Sequence, residues 1–229
     1  MELIVLLIII IIISLVLKYI FDANILKIKQ IGENKELDQL TQKYPENIEI
    51  CKWYLKKLKN ENVKIEENKN SNSTLYLVAS NKIFIADLKE SYTRIQTIAH
   101  ECLHSIQSKK LLWFNFVFSN IYIIYFLIIC ILAVLKISPY ENIFLSILII
   151  FGLIYYAVRT YLENDAMIKA RFLAKEYMQE VKISDNIEID KILSKYDELN
   201  DVGIKVTNFQ FLSKVLIKTM IFIIILMIF

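Results

Sequence analysis

The sequence predicts a mostly α-helical integral membrane protein, with about four spanning helices and a small α+β region in water. Three observations predict it. Hydrophobic residues make up 56% of the 229, above the roughly 45–50% of soluble domains. There are only 3 glycines and 2 prolines, where average usage gives roughly 16 and 11. A chain so poor in turn-formers does not build a β-sandwich, a collagen-like helix or a Pro/Gly-rich linker. The apolar surplus is gathered into runs, yet 22% of the residues are charged and mean hydropathy is +0.45, so aqueous segments separate the runs. A net charge of +3 offers no basic surface for nucleic acid, and no nucleic-acid partner is expected. Cys51, Cys102 and Cys130 are widely spaced and odd in number, which is no disulfide framework. Cys130 lies in an apolar run and reads as a buried small hydrophobe.

The elements follow in chain order. Residues 1–21 form an apolar run with Lys18 near its end. Met1-Glu2 lacks a basic leader and Lys18-Tyr19-Ile20-Phe21 is no small-residue cleavage site, so the run is expected to stay as a membrane anchor. Residues 22–110 form an aqueous α+β region. Within it, 33–60 reads as helix and Val63–Ile65 as a short strand. Glu66–Ser73 reads as a polar loop. Thr74–Val78 and Ile83–Ile85 read as strands about a Ser80-Asn81 turn. A helix is expected over about 91–108. Residues 111–158 then form a transmembrane hairpin of two apolar runs, 111–135 and 143–158, about a short 136–142 connection. Only the first run comfortably meets the roughly 17–25 residues of a spanning helix. Residues 159–214 return to water, with helices expected over about 162–182 and 186–200, and 215–229 forms the last span, with Lys18 and Lys218 snorkelling to the interface.

This topology sorts the positive charge. With four spans, 26 of the 27 Lys and Arg fall on the side that carries 22–110 and 159–214 when Lys18 and Lys218 at the span ends are counted with it, and only Lys136 falls on the other. Positive-inside bias then faces both polar regions to the cytoplasm. The expected location is the plasma membrane of a bacterium, with the bilayer as the protein's first partner.

The helix over 91–108 carries His100-Glu101-Cys102-Leu103-His104. Residues four apart share one helix face, so the two imidazoles can grip one zinc ion, with Glu101 beside it to take a proton from water. The chain has 2 histidines in all, and both stand in this motif. Thr97, His100, Glu101, His104 and Gln107 form a polar stripe; Ile95, Ile98, Ala99, Cys102, Leu103 and Ile106 are expected to pack. A catalytic zinc takes three protein ligands. No third histidine exists, and Cys102 faces away, two residues after His100. Just past the hairpin stand Glu163 and Asp165, and a chain that leaves the membrane surface and comes back returns them to the level of His104. Glu163 is the expected third ligand. Residues two apart diverge by about 200° on a helix, so Asp165 is the alternate ligand or a partner behind the ligands.

With these residues in view, the sequence resembles the YugP-type neutral zinc metallopeptidases of membranes and, more distantly, HtpX-like and CAAX-processing proteases. The resemblance rests on His100-Glu101-Cys102-Leu103-His104-Ser105-Ile106-Gln107 and on Glu163-Asn164-Asp165-Ala166-Met167, in order between the spans. Leu103, Asn164 and Met167 depart from that family's glycine, phenylalanine and serine. The resemblance implies a zincin-like catalytic region, a short sheet plus the motif helix, and a zinc-dependent endopeptidase acting on peptide or membrane-protein substrates near the cytoplasmic membrane surface. His100, His104 and Glu163 would then be the metal ligands and Glu101 the general base. One of the strands 74–78 or 83–85 is expected to pair with an extended substrate. Arg159, Tyr161 and Tyr177 are possible oxyanion partners, more simply read as interfacial anchors. The competing reading is a non-enzymatic membrane scaffold, or a regulatory or signalling protein, with a degenerate or structural metal site.

Overall fold

The computed structural model describes residues 2–68, 73–88, 90–137 and 140–229. Part of the expected 66–73 loop and the Ser138-Pro139 part of the hairpin connection lie outside them. The protein is mostly helical. The order is α1 (Glu2–Ile20), α2 (Ile25–Gly32), α3 (Lys35–Gln42), α4 (Asn47–Lys57), β1 (Lys64–Asn68), β2 (Leu75–Leu77), β3 (Lys82–Ala86), α5 (Arg94–Ile106), α6 (Lys109–Val134), α7 (Glu141–Val181) and α8 (Asn186–Ile228). Four helical segments are long and apolar enough to cross a membrane: Glu2–Gly32, Lys109–Val134, Glu141–Val181 and Asn186–Ile228.

Two differences from the sequence reading have plain causes. The expected helix over 33–60 is broken between α3 and α4, because Pro45 lacks an N–H and biases Tyr44 away from helical geometry. Asn24 and Asn34 start α2 and α3 by accepting the N–H groups of Lys27 and Leu37 at 3.0 and 3.2 Å, as Asn commonly does at helix starts. Conversely, the helices expected separately at 143–158 and 162–182 are one helix, α7, and those at 186–200 and 215–229 are one helix, α8. Neither stretch contains a proline, and each holds a single glycine, Gly152 or Gly203. Nothing in the backbone chemistry stops the helix when the side chains turn from apolar to polar.

The chain divides into two compact units, Met1–Ala23 with Phe114–Tyr161 and Lys205–Phe229, and Asn24–Trp113 with Leu162–Ile204. The first is an apolar helical unit. Its core includes Ile10, Tyr122, Ile129, Leu148, Phe222 and Ile223, while Ile124, Leu127, Ile150 and Ile224 are exposed, the outward apolar surface of helices suited to lipid. Gly152 lets α7 approach α8 closely: a Cβ there would fall 2.4 Å from a Val215 methyl.

The second unit holds the three-stranded sheet, ordered β1-β3-β2. β1 runs parallel to β3, with Ile65 opposite Ile83. β2 runs antiparallel to it, with Tyr76 opposite Ile83, and Asn81 takes a left-handed φ of 49° in the turn between them. α5 buries Ile95, Ile98, Ala99 and Cys102, as its periodicity predicts, against α4, β3, α7 and α8 residues such as Tyr54, Ile83, Ala170 and Tyr196. Ile106, expected to pack, is exposed.

Arg94 opens α5 fully buried. Its guanidinium donates to the carbonyls of Pro45, Thr41 and Tyr44 and to Asn47 Oδ1, all at 2.8–2.9 Å. It thereby satisfies the backbone that the α3–α4 break leaves unpaired. Replacing Arg94 with methionine strands these buried acceptors. The expected cost is on the order of 3 kcal/mol, read as a fall in Tm of about 6–12 °C in thermal unfolding of the detergent-solubilised protein.

Candidate metal centre

α5 presents His100 and His104 one turn apart, and α7 presents Glu163 to both. His100 Nε2 and His104 Nε2 are 3.0 Å apart. Glu163 Oε2 lies 3.3 Å from the first and 3.5 Å from the second. The three side chains are only 11–18% exposed. Ligand atoms held tetrahedrally at about 2.0–2.1 Å from a zinc ion stand about 3.3–3.4 Å from one another. The triangle of donors has that size and that composition, two imidazole nitrogens and one carboxylate oxygen, so these residues fit the ion. Among the described residues this is the group of His, Cys, Asp and Glu side chains close enough to share a metal.

Asp165 is not in that group. Its Oδ2 accepts from Gln107 Nε2 at 3.0 Å, and its other oxygen pairs with Lys169 at 2.5 Å. Of the two places open to it, the structure gives Asp165 the one behind the ligands. Gln107 makes the link. Its amide nitrogen donates both to Asp165 and, at 2.8 Å, to the carbonyl of Leu162. With the nitrogen committed to two acceptors, the amide oxygen must be the atom that meets His104 Nδ1 at 2.9 Å. His104 therefore carries its proton on Nδ1 and turns the lone pair of Nε2 into the site. Partners of this kind orient the histidines of metal sites.

Glu101, the residue between the histidines, is buried. Its Oε2 accepts the backbone N–H of Tyr76 on β2 at 2.6 Å. Burial pushes its carboxyl up, opposed by His100, His104 and the Tyr76 N–H, which favour the charged form. For His104, burial favours the neutral ring but is outweighed by the hydrogen bond to Glu163, the charges of Glu101 and Glu163 and the bond to Gln107, so its pKa ends above the ordinary value. The cluster thus holds two carboxylates and two imidazoles, and a cation among them favours the ionised carboxylates and the neutral rings.

Other expected residues fall elsewhere. β3, containing 83–85, is the central strand and has both edges paired, which corrects its reading as a substrate platform. β2 is an edge strand, but the outward N–H of Tyr76 is already given to Glu101. Cys102 turns its sulfur to Cys51, 3.6 Å away in the α4–α5 packing, not to the histidines. Tyr177 is buried among Tyr44, Trp53 and Tyr54, and the Arg159 guanidinium lies over the Phe211 ring.

Sequence reasoning placed Gln107 on the polar stripe without a role, although its position three residues after His104 puts the two side chains on one face. The Tyr76 N–H left no signal, because every residue but proline has one. Compared with models of protein families, with curated proteins and with solved structures, the chain gives no match.

The Gln107 clamp is testable without a metal. In 15N-labelled, metal-free protein at a pH where both rings are neutral, long-range imidazole correlations should report His104 as the Nδ1–H tautomer. Gln107→Leu should give the mixed tautomers of an unheld ring, while His100 changes less.

Proposed function

We propose that this protein is a membrane-bound, zinc-dependent metalloendopeptidase that hydrolyses peptide bonds near the cytoplasmic membrane surface. The observation that carries this reading is the convergence of His100 Nε2, His104 Nε2 and Glu163 Oε2, from sequence positions up to 63 apart, with Glu101 of the same motif buried beside them. His100, His104 and Glu163 would hold the metal. Zinc so held supplies Lewis acidity and lowers the pKa of water toward 7. Glu101 takes the proton of the attacking water and passes it to the leaving amine. Its Oε2 is anchored by the Tyr76 N–H, which leaves Oε1 to carry that proton. Gln107 and Asp165 keep His104 in the tautomer that offers Nε2. The likeness of the two motifs to YugP-type metallopeptidases supports the same reading. It favours peptide or membrane-protein substrates, with the bilayer as the protein's surroundings.

The scaffold or signalling reading has a degenerate or a structural metal site, and structural zinc sites normally fill four positions with protein ligands. Three donors meet in this cluster, and neither Cys51 nor Cys102 belongs to it.

Metal analysis of the purified protein tests the proposal. Wild type should hold about one zinc per chain. Glu101→Gln should keep the metal and lose cleavage by about 10²–10⁴-fold, whereas Glu163→Ala should lose metal under the same dialysis. A folded wild type that takes up no zinc overturns the reading, and zinc without peptide cleavage favours the scaffold.

Orientation has its own measurement. Cys51 is fully buried, so the probes are Lys52→Cys and Ile137→Cys in a Cys130→Ser background. A membrane-impermeant maleimide should label Ile137→Cys in intact cells and Lys52→Cys only after permeabilisation. Labelling of both from one side contradicts the four-span topology.

A further inference from the structure

The apolar unit contains a cationic site that the peptidase reading does not use. Lys218 lies within the last apolar run, between buried Val215 and buried Phe222 on α8. Its ammonium sits over the ring of Tyr122 at 4.3 Å from the centroid and near that of Tyr155 at 5.8 Å. One turn earlier, the Lys214 ammonium lies 5.5 Å from the Phe211 ring, and the Arg159 guanidinium lies 5.5 Å from the same ring. Phe211, Lys214 and Lys218 follow one another at helical spacing, so the two ammonium groups share a face of α8. Among the described residues, neither Lys214 nor Lys218 has a carboxylate partner.

A second, independent feature meets them. Tyr122 is fully buried, and its hydroxyl is buried without a hydrogen-bond partner. The hydroxyl is lodged against Gly152, where a Cβ would come within 2.9 Å of the oxygen. A hydroxyl left unpaired in an apolar core is costly. So is a lysine in an apolar span, and such residues usually pair or line a ligand path. Ring faces attract an ammonium but do not neutralise it. A single partner that is negative and accepts hydrogen bonds would satisfy both the ammonium and the hydroxyl. A phosphate group has that chemistry. The approach to the site is apolar, with Ile217 and Ile221 exposed on the same helix, so the phosphate must arrive on a molecule that is itself soluble in a bilayer.

We propose that Lys218, Lys214 and the Tyr122 hydroxyl form a binding site for the phosphate of an anionic phospholipid. The site belongs to the helical unit and is independent of the metal centre. It makes the lipid a specific ligand as well as a solvent.

Native mass spectrometry of the full-length protein in neutral detergent tests this, with phosphatidylglycerol titrated against phosphatidylcholine. Wild type should retain phosphatidylglycerol in preference. Lys218→Met, which keeps an unbranched side chain and suits an apolar span, should weaken that binding about fivefold, the effect of one basic residue on an anionic lipid. Tyr122→Phe should also weaken it, by about twofold to tenfold. Lys136→Asn, at the far end of α6, should leave it unchanged, and helical circular dichroism checks that each variant is folded. Undiminished phosphatidylglycerol preference in both Lys218→Met and Tyr122→Phe overturns the site. Displacement of the lipid by equimolar inorganic phosphate would assign a soluble phosphate in its place and overturn the lipid assignment.

Discussion

The candidate site depends on one amide. Gln107 spends both hydrogens of its side-chain nitrogen on α7, one on the Leu162 carbonyl and one on Asp165, and its oxygen on His104. An amide has a fixed plane and a fixed order of donor and acceptor. These three bonds therefore settle two things together: where α7 stands along α5, and which nitrogen of His104 faces Glu163. If α7 slid by one residue, Leu162 and Asp165 would leave the amide and Glu163 would swing about 100° away from the histidines. The bonds that set the tautomer are the ones that set the register.

Around this contact the second unit is arranged to keep α5 still. Its start is held by Arg94, which occupies the carbonyls freed at the Pro45 break. Its middle is held by the packing of Ile95, Ile98, Ala99 and Cys102, and by the Tyr76 N–H on Glu101. Toward its end, Asn60 donates to Ser105 Oγ at 2.9 Å and to the Ser105 carbonyl at 3.1 Å. Polar contacts at both ends and apolar contacts between them are what a helix carrying converging side chains requires, since a loss of about 1 Å in placement would open the triangle of His100, His104 and Glu163.

Much of this was legible beforehand, and the reasons are particular. The apolar runs and the scarcity of glycine and proline announced long helices, because both act through local chemistry. The spacing of His100 and His104 placed two nitrogens on one face, because a helix has a fixed period. Glu163 was reachable by topology, since a hairpin that leaves and returns brings its two ends together. Less was legible where partners are remote or generic. The merging of expected helices into α7 and α8 was hidden by the change from apolar to charged side chains, which alters the surroundings of a helix without breaking it. The parallel pairing of β1 with β3 and the edge position of β2 left no pattern in strands of three to five residues. The burial of Arg94 left no signal, because its acceptors are chiefly backbone carbonyls and any residue could have supplied them.

The division is a physical one. The sequence by itself determined the helical, membrane-suited class, the helices apolar enough to cross a membrane and the side chains of the candidate site, because hydropathy, helical period and side-chain chemistry are properties of neighbouring residues. Only the tertiary structure decided that Asp165 stands behind Gln107 while Glu163 points at the histidines, that Tyr76 meets Glu101, and that Lys218 rests on Tyr122. Each of those is a distance between residues far apart in the chain, and such distances exist only once the helices have packed.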